Sequence, residues 1–455
     1  MKLADQVSGL EEMLWHPRHL AAQKPLANLI TGLRACANVK DGYEFQQELL
    51  TRLLEVENDR HAFGRAAKRV RNGKAPQAGT PEPRSGLDPA DLETWQLEYN
   101  VCERLARQYR CVGDALAWRV FGYQRGTIIA LCQNASPGMM AGKDGLDAEL
   151  ARVEQAYRED GQFALMHDLT NCLRIGDVTV FGNDGTSETL EIKTDPGRRS
   201  PTQTRRIRAA QEAVRNGGPL PGTDPMARLH DLDVQFTTHL DLLRTATERA
   251  SRDGIFTVKV PGARTLVVTD IYGCDAQGWT GSDFAEQLGR KIDSVRRRAG
   301  IAANPEHNVS ATSLDTVSRD PQRVPFAAYP LHAVACARLI GDLAVCTVET
   351  SGPAITHLLR TAGFDAHWVL PPGGGKRSTR EVVIELHATL TGPAHRGIQT
   401  DLARTFQMRR SELDRYLIEL VGQGTWTEGL RQMLTDYRLA RRPWPVYRGE
   451  HQTWI

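Results

Sequence analysis

Apolar side chains recur every three to four residues through most of the first 130 positions. "PLANLITGLRACANV" (25–39) and "EFQQELLTRLLEVEND" (44–59) each place them on one face of a helix. The Pro-, Gly- and charge-rich stretch 72–92 breaks this pattern and reads as a linker. Helical spacing resumes over 92–132 and stops at "NASPGMMAGKDG" (134–145). A further helical stretch follows from Leu146. Its later half, from Phe163, is also expected to be helical, with Met166, Leu169 and Leu173 on one stripe. That places Asp168 on a helix just ahead of the next element, and makes His167 a surface or packing residue rather than a base.

The period then changes from about 3.6 to two. "RIGDVTVFGNDGTSETLEIKTD" (174–195) is a β-hairpin by pattern, its arms flanking Gly182-Asn183-Asp184-Gly185. With the turn centred on Asp184, Val178 lies opposite Leu190. Asp177 then falls opposite Glu191 on the other face, and Lys193 joins that face. Two carboxylates facing each other across a ladder repel. Either the face is simply solvated, or a hard cation between the acids offsets the repulsion.

After the hairpin, Ser200-Pro201 reads as an N-cap followed by proline at the first helical position. The helix presents Gln203, Arg205, Arg206 and Arg208, with Gln211 on the same face as Gln203. It is either a solvated basic helix or a surface for phosphates.

Asp177 preceded by Gly176, then Glu191-Ile192-Lys193 after a short turn, with a helix on either side, resembles the PD-(D/E)XK phosphodiesterase superfamily. The literal proline before the Asp is missing, and the resemblance covers roughly residues 145–220. It implies an α/β fold with a restriction-endonuclease-like mixed-sheet core flanked by helices. It implies a Mg²⁺-dependent nuclease, with Mn²⁺ as the alternative cofactor. Asp177 and Glu191, the Ile192 carbonyl and an acid of the preceding helix would hold metal; Glu154, Glu159 and Asp168 are the candidates, and Asp168 lies closest. Lys193 would position or activate the attacking water, and Gln203 would face the water or the phosphate. Arg205 and Arg206 would contact nucleic acid.

Further along, 226–254 reads as a helix, Ile255–Val260 with Arg264–Tyr272 as a second hairpin, and 343–350 as a strand. These strands are candidates to complete the central sheet, with a helical insertion near 281–300. Gly373-Gly374-Gly375-Lys376 does not meet phosphate-loop spacing and reads as an interdomain turn. The segment 397–424 has a helix-turn-helix pattern that would bring Arg409, Arg410 and Arg415 to DNA; two packed helices without DNA are the alternative.

Composition sets the outer limits. The chain has 455 residues, 40% hydrophobic and 25% charged, with a net charge of +2. That is too little excess for a general nucleic-acid coat, although cations cluster at 66–74, 289–300 and 438–448, the last beside Trp444 and Tyr447. No apolar run reaches the roughly 18 residues of a membrane span. The eight scattered cysteines include no Cys-x-x-Cys pair, against a zinc site or a disulfide framework. A cytoplasmic protein with reduced thiols is expected.

The expected organisation is a helical region 1–75, a linker 76–92, a second helical region 93–144 and a nuclease-like domain 145–350 with its core motif at 163–215. A connecting segment 351–378 and a C-terminal domain 379–455 follow. The expected function is a DNA endonuclease of restriction or anti-phage type, with RNA as an alternative substrate, and a homodimer or a partner subunit as alternative assemblies. The competing reading is a non-catalytic DNA-binding regulator built on 397–424.

Overall fold

In a computed structural model, residues 12–132, 137–193, 201–216, 228–231, 234–279, 307–314, 323–369, 382–391, 401–440 and 445–448 are described, with scattered positions between 286 and 297. The chain is mixed α/β and divides into two units. One comprises Met1–Pro225, Val317–Tyr329 and Cys336–Gly341; the other comprises Met226–Thr316, Pro330–Ala335 and Asp342–Ile455. The expected domain 145–350 therefore contributes residues to both.

The first unit opens with helices α1 (Pro17–Ala21), α2 (Gln23–Ala35) and α3 (Val39–Arg71), then α4 (Leu92–Val120) and α5 (Arg125–Leu131). Asn38 and Asp91 cap α3 and α4, their side chains accepting the N–H groups of Asp41 and Glu93. The irregular stretch between α3 and α4 joins helices that pack along each other, with Phe63, Ala66, Ala67, Trp95 and Cys102 buried between them. The basic residues Lys68, Arg69 and Arg71 are exposed on the last turn of α3, where the helix dipole favours them.

Helix α6 (Leu146–Arg158) leads into a three-stranded antiparallel sheet of β1 (Phe163–Met166), β2 (Val178–Phe181) and β3 (Ser187–Leu190). Helix α7 (Pro201–Asn216) follows and begins at the proline expected in its first turn; Ser200 lies outside the described residues. Residues 163–174 are not helical. Phe163–Met166 form β1, and His167–Leu169 make a single 3₁₀ turn. All four β1 residues are buried. A continuous apolar run of that length fits a strand covered on both faces as well as a helical stripe, and tertiary packing decides between them.

Among its described residues the second unit has three sheets. β5 (Ile255–Val260) and β6 (Arg264–Asp270) form the expected hairpin, and β8 (Ala344–Ser351) pairs with β6. With β7 (Asn308–Thr312) the order is β5-β6-β8-β7, antiparallel throughout. β9 (Asp365–Trp368), β10 (Val382–Thr391) and β11 (Asp401–Arg409) form a second antiparallel sheet, and β4 (Arg228–Asp231) pairs in parallel with β12 (Pro445–Arg448).

Three expectations are corrected here. Among the described residues β5, β6 and β8 do not extend the β1–β3 sheet into a single mixed core; with β7 they form a separate antiparallel sheet. The stretch 226–254 contains strand β4 before helix α8 (Leu240–Asp253), so only its second half is helical as expected. The helix-turn-helix of 397–424 is not formed. Its first half is strand β11, registered with β10 from Val382↔Arg409 to Thr391↔Asp401, and only Arg410–Ile418 is helical before the next helix begins at Gln423. A partner strand satisfies the backbone of 401–409 across the ladder, which local spacing could not anticipate. The insertion near 281–300 lies largely, and Gly373–Lys376 wholly, outside the described residues.

All eight cysteines are free thiols, seven of them buried. Among the described residues no helix is long and apolar enough to cross a membrane.

Candidate active site

The site lies at one end of the β1–β3 sheet. β2 and β3 pair Val178↔Leu190 through Phe181↔Ser187, the register the turn requires. Asp184 closes that turn by accepting the N–H and hydroxyl of Thr186 at 3.0 and 2.7 Å. At the far end the ladder bends: the Asp177 N–H donates to Leu190 O at 2.8 Å, one residue out of step with the register. Gly176 enables this bend. Its φ is +79°, and a β-carbon there would lie 2.4 Å from Thr189 Cγ2.

The bend aims Asp177 across the hairpin. Its Oδ2 accepts the Ile192 N–H at 2.7 Å. Lys193 Nζ pairs with Glu191 Oε1 at 2.5 Å, and its charge also acts on Asp177. The Asp, the Glu and the Lys named from sequence are thus gathered at the same sheet end, with Ile192 between the last two. Asp168 joins them from the 3₁₀ turn after β1, rather than from a helix.

Two further residues enter here. Lys143 Nζ lies 2.6 Å from both Glu149 Oε1 and Asp168 Oδ2, and 3.9 Å from Asp177 Oδ1. Glu149, on α6, has a side chain only 1% exposed, and among the described residues its second oxygen has no hydrogen-bond partner. Burial, with Asp177 and Asp168 adding to it, pushes the Glu149 carboxyl up to about 7 against the opposing pull of Lys143. Burial also raises Asp177, although the Ile192 N–H and both lysines pull the other way. Burial works against the Lys143 ammonium, but Asp168 and Glu149 outweigh it and raise its pKa above that of an ordinary lysine.

Glu149 is therefore the α6 acid that reaches the site. Glu154 is exposed and pairs with Arg158, and Glu159 accepts from Gln155, also in solvent. A signal was present in the sequence: Glu149 shares a stripe with the buried Val153 and Ala156, where an apolar residue is the ordinary choice. Lys143 left no such signal, because nothing in a Gly-rich loop says where its ammonium goes.

Helix α4 holds this arrangement from behind. Arg110 Nε donates to Asp168 O at 2.9 Å. Asp114 Oδ1 accepts the N–H groups of Asn171 and Cys172 at 2.6 and 2.9 Å. Arg110 also pairs with the buried Glu57, whose Oε2 accepts the Met140 and Ala141 N–H groups at 2.6 and 2.9 Å. One buried pair on α3 and α4 thus anchors both the loop bearing Lys143 and the turn bearing Asp168. His167 is fully buried and its Nε2 lies 2.7 Å from Thr179 Oγ1; burial lowers its pKa to about 4, in keeping with a packing role.

Helix α7 covers the β3 edge, Gln211 donating to Thr189 O and Arg215 to Ser187 O at 3.5 and 3.0 Å. Gln203 is half-buried in its first turn, and Arg205, Arg206 and Arg208 are exposed. Arg409 and Arg410 belong to the other unit, where Arg410 pairs with Asp414 at 2.7 Å and also donates to Ser310 O.

The oxygen-rich donor set suits a hard divalent cation. Among the described residues, however, no three His, Cys, Asp or Glu side chains stand close enough to hold a metal ion as they are. A lysine ammonium sits among the three nearest carboxylates instead. Compared with known proteins, the chain matches no family model, no curated protein and no solved structure.

Proposed function

We propose that this protein is a divalent-cation-dependent nuclease hydrolysing phosphodiester bonds, and first of all a DNA endonuclease of restriction or anti-phage type. The observation that carries the reading is the Asp177–Ile192 hydrogen bond. It ties the acid of one hairpin arm to the Glu-Ile-Lys segment of the other. The order helix, three antiparallel strands, helix around that contact supports a restriction-endonuclease-like core.

Asp177, Glu191, the Ile192 carbonyl and Asp168 are the groups that would hold Mg²⁺ or Mn²⁺. A cation bound there would polarise the phosphate and acidify water. Lys193, more than a third exposed and paired among the described residues with Glu191 and the field of Asp177, would offer its charge to phosphoryl oxygens as they become more negative. Gln203, at the start of α7, would orient the water or the phosphate. Arg205 and Arg206 on the exposed face of the same helix would hold the backbone on either side of the scissile bond. Arg409, exposed in the second unit, would be a nucleic-acid contact of that unit, whereas Arg410 is engaged by Asp414.

The test is incubation of the purified full chain with plasmid, linear duplex, single-stranded DNA and RNA, with Mg²⁺, with Mn²⁺ and with chelator. Cation-dependent cleavage that disappears in Glu191→Ala is expected, and the preferred substrate decides between DNA and RNA. Cleavage unaltered in that variant removes the assignment. Absence of cleavage together with a gel shift on duplex DNA would favour the non-catalytic regulator, although its expected helix-turn-helix is half strand.

A further inference from the structure

Lys143 is the least expected member of the site. Its stem is half-buried, and its ammonium is the hub of three carboxylates carried by three separate segments: Glu149 on α6, Asp168 on the 3₁₀ turn and Asp177 at the hairpin bend. Two of the contacts are hydrogen bonds of 2.6 Å, while the third, at 3.9 Å, is only electrostatic. The single Lys143 ammonium is thus shared among three acids, with Lys193 acting on Asp177 as well, and among the described residues the buried Glu149 Oε2 has no hydrogen-bond partner. A hydrogen-bonded ammonium keeps oxygens near 2.8 Å, whereas Mg²⁺ or Mn²⁺ draws them to roughly 2.1 Å and carries twice the charge.

The loop that delivers Lys143 is fixed at its base and open at its tip. Glu57 holds the Met140 and Ala141 N–H groups, and Met140 is fully buried. Gly142 then takes φ +79°, and the Lys143 side chain is 31% exposed. The ammonium has a route to solvent through rotation of its own side chain, with the loop base left in place.

We propose that Lys143 is a tethered counter-ion holding the place of a divalent cation among Glu149, Asp168 and Asp177, and that cation binding displaces it. Glu149 thereby becomes a cation ligand, its unpartnered oxygen being the spare donor of the set. The inference rests on the cation-dependent reading above and specifies how the metal-free site is kept together. Three converging carboxylates without a cation would splay the α6, 3₁₀ and hairpin segments apart. A built-in ammonium prevents this, while competing with whatever cation arrives.

The test compares the full-length wild type with Lys143→Met, which keeps the stem and removes the charge. Mn²⁺ is the probe, without nucleic acid. Calorimetric titration is expected to show Mn²⁺ binding at least about tenfold tighter in Lys143→Met. Without Mn²⁺ the variant is expected to melt below the wild type, and saturating Mn²⁺ to restore most of the difference. Glu149→Gln in the Lys143→Met background is expected to reverse the gain in affinity. Equal or weaker Mn²⁺ binding in Lys143→Met, alongside wild-type binding that Asp177→Asn abolishes, would overturn the counter-ion role and leave the cation-dependent reading standing. A lowered melting point that Mn²⁺ does not restore would reduce Lys143 to a structural ion pair. Absence of Mn²⁺ binding in both wild type and Lys143→Met would sink the inference together with the reading beneath it.

Discussion

Asp177 reaches across the hairpin to accept the backbone N–H of Ile192 at 2.7 Å, so a group proposed to hold a cation also closes the strand pair that presents Glu191 and Lys193. Structure and chemistry can be separated at this residue. Asp177→Asn keeps an acceptor for the Ile192 N–H and loses the charge. Its cleavage rate should fall on the order of 10²-fold or more, while its melting point stays near wild type. Asp177→Ala loses the acceptor as well and should also lose about 1–2 kcal/mol of stability. Plasmid-nicking rates and thermal melts of the two variants check this; equal stability in both would mean that the hydrogen bond contributes nothing to the hairpin.

Helix α4 approaches the site more closely than any side chain would allow. A β-carbon on Gly113 would lie 1.9 Å from Leu169 O. In an open helix, Gly→Ala stabilises by up to about 1 kcal/mol. Here Gly113→Ala should destabilise by on the order of 3 kcal/mol, because backbone must move away from backbone. Denaturant unfolding gives the sign directly, and a stabilised variant would contradict the packing of α4 against the 3₁₀ turn.

Glu57 and Arg110 form a buried pair whose removal on one side leaves an uncompensated charge. Glu57→Ala should cost about 3–5 kcal/mol. It should also free the Met140 and Ala141 amides, which hydrogen exchange would register as faster exchange in the loop ahead of Lys143. Faster exchange spread evenly over the chain, without excess at 138–145, would argue that the pair stabilises the helices only.

Acid should weaken the first unit through His19. Its Nδ1 lies 3.0 Å from Leu14 O and its Nε2 3.1 Å from the Gln108 amide nitrogen. A single neutral tautomer serves both contacts, Nδ1–H donating and Nε2 accepting. Burial lowers the His19 pKa to about 4 from an ordinary 6.5. Between those values the unfolded chain takes up a proton that the folded chain refuses. Stability is therefore full above pH 6.5 and declines as pH falls toward 4, by up to about 3 kcal/mol from this residue. Urea unfolding at about pH 7 and about pH 4.5, in wild type and His19→Gln, reads the difference. A slope that is the same in both would assign the acid sensitivity to other groups.

Local pattern carried the hairpin and the helices around it. A period of two with Gly-Asn-Asp-Gly between its arms leaves one sensible register, and Val178 does meet Leu190. Proline at the head of α7 marks a helix start because its ring pre-sets the first helical φ. By contrast, Phe163–Met166 is short and wholly apolar. A strand buried on both faces and one stripe of a helix look alike at that length, and tertiary packing makes this segment a strand. Leu402–Met408 is ambiguous in the same way, and pairing with a strand some twenty residues earlier outweighs its own spacing.

The sequence by itself determined which residues bear the acids and bases of the hairpin, and that Asp177, Glu191 and Lys193 share one of its ends. Alternation and turn chemistry are local, and they suffice for that. Only the tertiary structure decided that Glu149 rather than Glu154 or Glu159 turns inward, that Asp168 arrives from a 3₁₀ turn, and that Lys143 stands among the carboxylates. Those placements depend on where α4, the 137–145 loop and α6 come to rest against the sheet. That is settled by buried partners such as Glu57–Arg110 and by the missing β-carbon of Gly113, contacts between residues tens of positions apart that no local period encodes.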